Sequence, residues 1–367
     1  MPRDPKHDVL FEPVRIGPKT LRNRFYQVPH CTGFGVQKPG CQAAHRAMKA
    51  EGGWAAVCTE FSPVSRDSDE APYVSAELLD EGDLVNLALM ARAVHENGAL
   101  AGIELSHSGS SATGNGYRWT TIGPSQVPND FTPDIVPKAM ERADIVRVQG
   151  DFAQAAAKAA SVGFDIVYVN GGQAYLPTQF LSPAYNKRTD EYGGSLENRA
   201  RFWLETLEQV RAQVGRTCAL AVRIGVAFVP GLELDEVLAF VRLADDLVDL
   251  WDVNLGSLAE WSKDSGPSRF FREGHQLEWT GRIRDATEKP VVGVGRFTNP
   301  DTMAEAVRSG KLDLIGAARP SIADPFLPTK IEEGRYDEIR ECIGCNFCIA
   351  RGDVGHHLGC TQNATAG

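Results

Sequence analysis

Short runs of β-branched and apolar residues alternate with helix-period segments along most of the chain. The runs predict strands at Arg24–Val28, Trp54–Thr59, Ala99–Glu104, Phe164–Val169, Cys218–Ile224, Leu250–Leu255, Pro290–Val294 and Leu312–Ile315. Several are almost continuously apolar, as in Phe164-Asp165-Ile166-Val167-Tyr168-Val169, the pattern of parallel strands covered on both faces. Between them, amphipathic spacing predicts helices at Ala43–Glu51, Leu84–Asn97, Asp151–Val162, Leu196–Val214, Leu234–Leu247, His275–Thr287 and Pro300–Ser309. Eight strands, each followed by a helix or long loop, favour a (β/α)8 TIM barrel. The rival is a doubly wound open sheet. Its dinucleotide-binding form needs G-x-G-x-x-G, and Gly293-Val294-Gly295-Arg296-Phe297-Thr298 lacks the third glycine. The loop Ser106–Pro137, rich in Gly, Ser, Pro, Thr and Asn, lies where barrel enzymes place active-site lids.

The pattern changes after about residue 330. Arg340–Gly367 carries four cysteines, five glycines and no strand–helix unit. The expected division is a barrel over residues 1–335 and a small C-terminal segment over 336–367. The chain stops without a finished element, which leaves room for a longer polypeptide.

Composition narrows the function. The 367 residues include 38 basic and 48 acidic side chains, a net charge of −10, with 43% hydrophobic and 23% charged residues. This is globular composition. The acidic balance and the lack of a Lys/Arg cluster argue against nucleic acid. No apolar run approaches the roughly 20 residues of a membrane helix. The N-terminus has no apolar segment behind its charges, so a cytoplasmic location is expected, where thiols stay reduced.

In that setting the cysteines read as thiols or ligands. Cys342, Cys345, Cys348 and Cys360 follow C-x2-C-x2-C-x11-C, the spacing of a [4Fe–4S] cluster held by four thiolates. Zinc is the main alternative, although it more often takes two C-x2-C pairs; unligated buried thiols are a third. His356 and His357 lie close in sequence and read as exposed loop residues. A cluster passes electrons singly, which implies a partner cofactor able to split a two-electron process.

Barrel sites lie at the C-terminal ends of strands. There the chain places Pro29-His30-Cys31, Thr59-Glu60-Phe61, Glu104-Leu105-Ser106-His107, Asn170-Gly171-Gly172-Gln173-Ala174-Tyr175, Arg223, Trp261 with Asp264, Gly293-Val294-Gly295-Arg296 and Gly316-Ala317-Ala318-Arg319. Two Gly-x-x-Arg stretches after strands seven and eight suit a phosphate-bearing cofactor, with backbone N–H groups and guanidinium forks gripping the anion. The alternative is that each arginine pairs with a barrel carboxylate. FMN satisfies both this site and the cluster.

These residues resemble the iron–sulfur flavoprotein branch of the old yellow enzyme family, nearest its trimethylamine- and dimethylamine-oxidising members. The resemblance runs from Leu10-Phe11-Glu12-Pro13 to Thr361-Gln362-Asn363-Ala364. Its most specific markers are Asn186–Arg199 and the cysteine segment, with Val28-Pro29-His30-Cys31 and Ala323–Pro328 pointing to the amine dehydrogenases. The resemblance implies FMN at the barrel mouth, bonded through Cys31 as a 6-S-cysteinyl link; otherwise Cys31 is a small buried hydrophobe. It places Arg223 beside the flavin N1/C2 region, Glu104 at the pyrimidine edge, and Gly295, Arg296 and Arg319 at the phosphate. Cys41, Cys58 and Cys218 carry no motif and read as core or surface thiols.

Phe61 and Trp261 fall where the amine dehydrogenases build an aromatic bowl for a cationic amine, an attraction worth roughly 0.5–2 kcal/mol per ring. The bowl's third wall, a tryptophan in the relatives, is Gly352 here. The tyrosine and histidine of the family's Tyr–His–Asp triad are Asn170 and Gln173, and the aspartate, Asp264, remains. Asn and Gln do not act as general bases near neutral pH. The pocket is thus expected to be larger and more polar than a trimethylamine site. The implied function is oxidation of a secondary or tertiary amine with an extra polar or bulky group, or of a primary amine such as histamine. Asp264 would orient or deprotonate the amine, and Tyr175 would bond or pack against it. Electrons would pass through the cluster to an electron-transfer flavoprotein or similar carrier, from a homodimer. The alternatives are an NAD(P)H-dependent enone or dienoyl-CoA reductase, for which Tyr175 would be the proton donor, and an electron-transfer module without turnover.

Overall fold

The computed structural model describes residues 2–257 and 261–366; Met1 and Gly367, the two chain ends, lie outside it. Eight parallel strands close into a barrel: β1 (Phe25–Gln27), β2 (Ala56–Pro63), β3 (Leu100–Ser106), β4 (Ile166–Asn170), β5 (Ala219–Gly225), β6 (Leu250–Asn254), β7 (Val291–Val294) and β8 (Leu314–Gly316). Each pairs with its neighbours in sequence, and β8 returns to β1 through Ile315 opposite Phe25. The open-sheet alternative is thereby removed.

The β-branched runs feed two apolar layers. Tyr26, Cys58, Ile166, Tyr168, Ala221, Val292 and Leu314 fill the barrel interior. Val57, Val167, Val222 and Val253 face outward into a larger layer under the helices. This explains the near-continuous apolar strands, since both faces are buried. Ahead of the barrel, a two-stranded hairpin (Val14–Ile16 with Lys19–Leu21) inserts Ile16 and Leu21 into the interior layer. Lys19 bonds Asp165, just before β4, at 2.7 Å. The hairpin therefore plugs the N-terminal end of the barrel and leaves the opposite end for chemistry.

The helices are α1 (Pro39–Glu51), α2 (Glu81–His95), α3 (Arg142–Ser161), α4 (Leu196–Val214), α5 (Leu234–Ala244), α6 (Leu277–Thr280) and α7 (Pro300–Arg308). Two expectations are corrected. Helix α3 begins at Arg142 rather than Asp151: Asp144 accepts from the Glu141 N–H at 2.8 Å, and Ile145, Val148 and Phe152 continue its buried stripe among charged residues that hide the period. The helix expected over His275–Thr287 is a single α turn followed by a 3-10 turn, Gly281–Asp285.

β8 leads into two short helices, Arg319–Ala323 and Leu327–Glu332. Between them Asp324 is fully buried. Its carboxylate takes Lys330 Nζ at 2.7 Å and the Arg340 N–H at 2.9 Å. The cysteine-bearing segment is thus tied to the barrel through the Arg340 N–H on Asp324 and the Glu338 carbonyl, which accepts from Lys330 Nζ at 2.7 Å. Leu358 and Ala366 pack on Ile322 to complete the attachment. Asp324→Ala strands the Lys330 charge and is expected to cost about 3–5 kcal/mol of stability. Urea unfolding would measure it, and a loss within experimental error would contradict the anchoring role.

Candidate functional site

The C-terminal end of the barrel opens into a cavity of about 460 Å³. That is ample for a cofactor-sized group. The strand ends and following loops line it with Cys31, Phe61, Glu104, Asn170, Gln173, Tyr175, Arg223, Trp261, Arg296, Arg319 and Cys348. Eleven residues singled out from sequence therefore converge. The long loop after β3 adds Ser111, Thr113 and Phe131, the position expected of a lid.

At the floor, Arg223 projects from β5. Its guanidinium meets Glu104 at 2.9 Å and Asp252 at 3.7 Å, and donates to Pro29 O at 3.1 Å. Burial pushes Glu104 up to about 6, against the pull of Arg223. Burial also raises Asp252, and the two carboxylates push Arg223 well above its usual value. Arg223 Nε and both side-chain atoms of Asn254 have no hydrogen-bond partner among the described residues. Asn254 lines the cavity. Buried polar groups are normally satisfied; Arg223 Nε faces Asp252, so it is the Asn254 amide that fits a polar ring edge set against the floor.

Cys31 is held from beneath by a buried network that the sequence reading did not identify. Gln42, Arg46 and Lys49 share one face of α1. Arg46 bonds Glu60 at 2.8 Å and His30 O at 2.7 Å, and Gln42 bonds Glu60 at 2.7 Å. Arg46 and Lys49 both point donors at His30 Nε2, at 3.0 and 2.6 Å. That nitrogen must accept, so His30 is neutral and its Nδ1–H donates to Cys31 O at 3.0 Å. Burial, with Lys49 and Arg46, keeps the His30 pKa well below normal. Burial and Glu60, Glu70 and Glu104 hold the Cys31 thiol protonated. The spacing 42, 46, 49 was the available signal, but polar residues on one helix face ordinarily read as solvated.

The substrate end differs from expectation. The ring of Tyr73 stands over Gly352, 3.1 Å from where a Cβ would lie. It meets Phe61 edge-on, with centroids 6.4 Å apart. An aromatic wall missing from the cysteine segment is thus supplied by the loop after β2. Asp353 accepts a hydrogen bond from the Tyr73 hydroxyl and also lines the cavity. Trp261 has the Arg319 guanidinium 5.7 Å from its ring centroid, and it needs Gly266, whose Cβ would fall inside that ring. Asn170 accepts from the Gly172 N–H at 2.8 Å, and Gln173 sits at φ +53°, a conformation uncommon for its type. Asp264 is buried behind Gly256 and is not among the cavity-lining residues; Gln276 donates to its backbone carbonyl at 2.9 Å. Gly295 likewise is off the wall, its bare Cα making room for the Phe297 ring. Arg296, at φ +54°, and Arg319 do line the cavity; Arg296 donates to Phe271 O at 2.6 Å and Arg319 to Pro267 O at 2.8 Å.

Among the described residues no group of three or more side chains is gathered tightly enough to hold a metal. The thiols are nevertheless neighbours: Cys342, Cys345 and Cys360 all act electrostatically on Cys348, and Arg319 opposes them. Gly344 and Asn346 have left-handed φ of +66° and +58°, giving the tight turn a triple-cysteine ligand run needs. The Gln362 N–H points at Cys360 Sγ at 3.4 Å. The donor set fits an iron–sulfur cluster. No helix among the described residues is long and apolar enough to cross a membrane.

A model of the NADH:flavin oxidoreductase / NADH oxidase family matches residues 9–338. Dimethylamine dehydrogenase of Hyphomicrobium sp. (strain x) is 49% identical over all of this chain and 51% of its own length. Histamine dehydrogenase from Rhizobium sp. 4-9 superimposes with TM-score 0.94 at 46% identity, over 98% of this chain and 53% of that one. The 6-hydroxypseudooxynicotine amine oxidase of Pseudomonas geniculata N1 gives TM-score 0.93 at 46% identity, over 99% and 55%. The chain thus spans about half the length of these three relatives.

Arg223→Met removes the counter-charge between Glu104 and Asp252, with an expected loss of about 3–5 kcal/mol at pH 8. Both carboxyls have raised pKa values and bind protons more tightly when folded, so the loss should shrink towards pH 5 as they neutralise. Urea unfolding at the two pH values tests this; equal losses would contradict it.

Proposed function

Since the chain belongs to the NADH:flavin oxidoreductase / NADH oxidase family, we propose that it forms the catalytic part of an FMN- and iron–sulfur-dependent amine dehydrogenase. The observation that carries the reading is one cavity lined by aromatic rings (Phe61, Tyr73, Trp261), carboxylates (Glu70, Asp353) and guanidinium groups (Arg223, Arg296, Arg319), with Phe61 packed on Tyr73 and Trp261 beside Arg319. When bound, FMN supplies a two-electron acceptor and the cluster a one-electron exit to an external carrier, for which an electron-transfer flavoprotein is proposed.

The chain's own groups then divide the work. Arg296 and Arg319 hold the cofactor phosphate, and Cys31 tethers the ring, its backbone fixed by the His30–Arg46–Glu60 network. Arg223 sets positive charge where a reduced ring becomes anionic, in a site dry enough for that charge to matter. Glu104 and Asn254 complete the polar edge. Phe61, Tyr73 and Trp261 attract the substrate ammonium. Asn170 and Gln173 offer amide groups to a polar substituent, and Asp264 steadies the loop that presents Trp261. Cys342, Cys345, Cys348 and Cys360 hold the cluster. The substrate is a methylated secondary or tertiary amine with an extra polar group, or a primary amine of histamine type, oxidised by a homodimer. An enone reductase would use the Tyr175 phenol as proton donor; here that phenol already donates to Glu70 at 2.7 Å, which does not favour it.

Anaerobic titration with dimethylamine, N-methylated amino acids and histamine should bleach the flavin absorbance. Bleaching by NADPH and by no amine would overturn the reading. Trp261→Ala and Tyr73→Ala should each raise KM roughly 3–30-fold for the amine that works. An unchanged KM in both would remove the aromatic bowl.

A further inference from the structure

The carboxylate of Glu70 enters the cavity from the loop after β2, and its sequence surroundings carry no motif that marks it. It accepts hydrogen bonds from the Tyr175 hydroxyl at 2.7 Å and from the Ser108 hydroxyl. No ion pair reaches it among the described residues. The titratable groups around it are Asp69 and Tyr73 on its own loop, Glu104 at the end of β3, Tyr175 after β4 and Cys31 after β1. None of these is a cation. The site therefore holds a carboxylate oriented by two neutral donors and facing a space lined by aromatic rings.

Resting on the amine dehydrogenase reading, we infer that Glu70 is the catalytic residue that takes the proton from the incoming substrate ammonium, in place of the Asn170 and Gln173 amides, which accept no proton. The step balances. The substrate N–H bond breaks and a Glu70 O–H bond forms, leaving the nitrogen lone pair free. With the lone pair free, the amine can lose hydride from its adjacent carbon and form the C=N bond of an iminium; FMN, when bound, would be the two-electron acceptor. Tyr175 and Ser108 hold the carboxylate in place. Burial, together with Glu104 and Asp69, raises Glu70 to about 7 against the pull of the two hydroxyls. A base poised near neutrality is what this transfer requires. Below that pH Glu70 is already protonated and cannot accept, so catalysis should fail on the acid side.

The test compares wild-type, Glu70→Gln and Tyr175→Phe holoenzymes, with flavin content as the folding check. Wild type should show an acid limb in kcat/KM near pH 7, beside the limb set by the substrate's own ionisation. Glu70→Gln keeps the shape and acceptor of the side chain. It should lose the Glu70 limb and fall about 100-fold or more at pH 8. Tyr175→Phe removes a donor to the ionised form and should move the limb to higher pH. A substrate-free readout accompanies these: a protonated-carboxyl infrared band titrating near pH 7 in wild type and absent from Glu70→Gln. An acid limb unchanged in an active Glu70→Gln variant, or an infrared titration that survives the substitution, overturns the assignment of Glu70 alone. A wild-type flavin that no amine reduces overturns the amine reading and this inference with it.

Discussion

A buried guanidinium between two carboxylates is the constraint on which the barrel mouth depends. Arg223 cannot leave its site without leaving Glu104 and Asp252 buried together with no counter-charge. The triad joins β3, β5 and β6, and through Pro29 O it reaches the end of β1. Because the charge is fixed before any ligand arrives, no reorganisation is needed when negative charge develops above it. The Asn254 amide, which lines the cavity, has no hydrogen-bond partner among the described residues.

A second buried pair, Arg46 with Glu60, does the equivalent work one strand away. It fixes His30 as a neutral acceptor and so orients the backbone at Cys31. The substrate end is built differently, by compensation between loops. With a glycine at 352, the space above it passes to Tyr73, whose hydroxyl is in turn tied to Asp353 on the cysteine segment. The cavity wall is therefore shared between the barrel and its C-terminal attachment, and Asp324 is buried at their junction.

The barrel was legible in the sequence because its strands are buried on both faces and read as uninterrupted apolar runs of matching length. Helix α3 was legible only in its second half, where alanines dominate; its first turns hide a buried stripe among charges. Site residues at strand ends, such as Glu104, Asn170 and Arg223, could be located by counting strands. Glu70, Tyr73, Arg46 and Lys49 could not, since their roles depend on loop paths and on a polar helix face turned inward, neither of which has a period. The most recognisable stretch, Asn186–Arg199, proves to be scaffolding. Asn186 bonds Phe180 O and Tyr192 O, Arg199 bonds Glu236, and none of the stretch lines the cavity.

Arg223 is proposed to set its guanidinium against the flavin ring and to stabilise the reduced, anionic form. The midpoint potential of the bound flavin in wild type and in Arg223→Lys and Arg223→Met tests this most directly. The potential should fall when the charge is removed, and fall less when lysine retains it without the fork geometry. Equal potentials in all three proteins would contradict it.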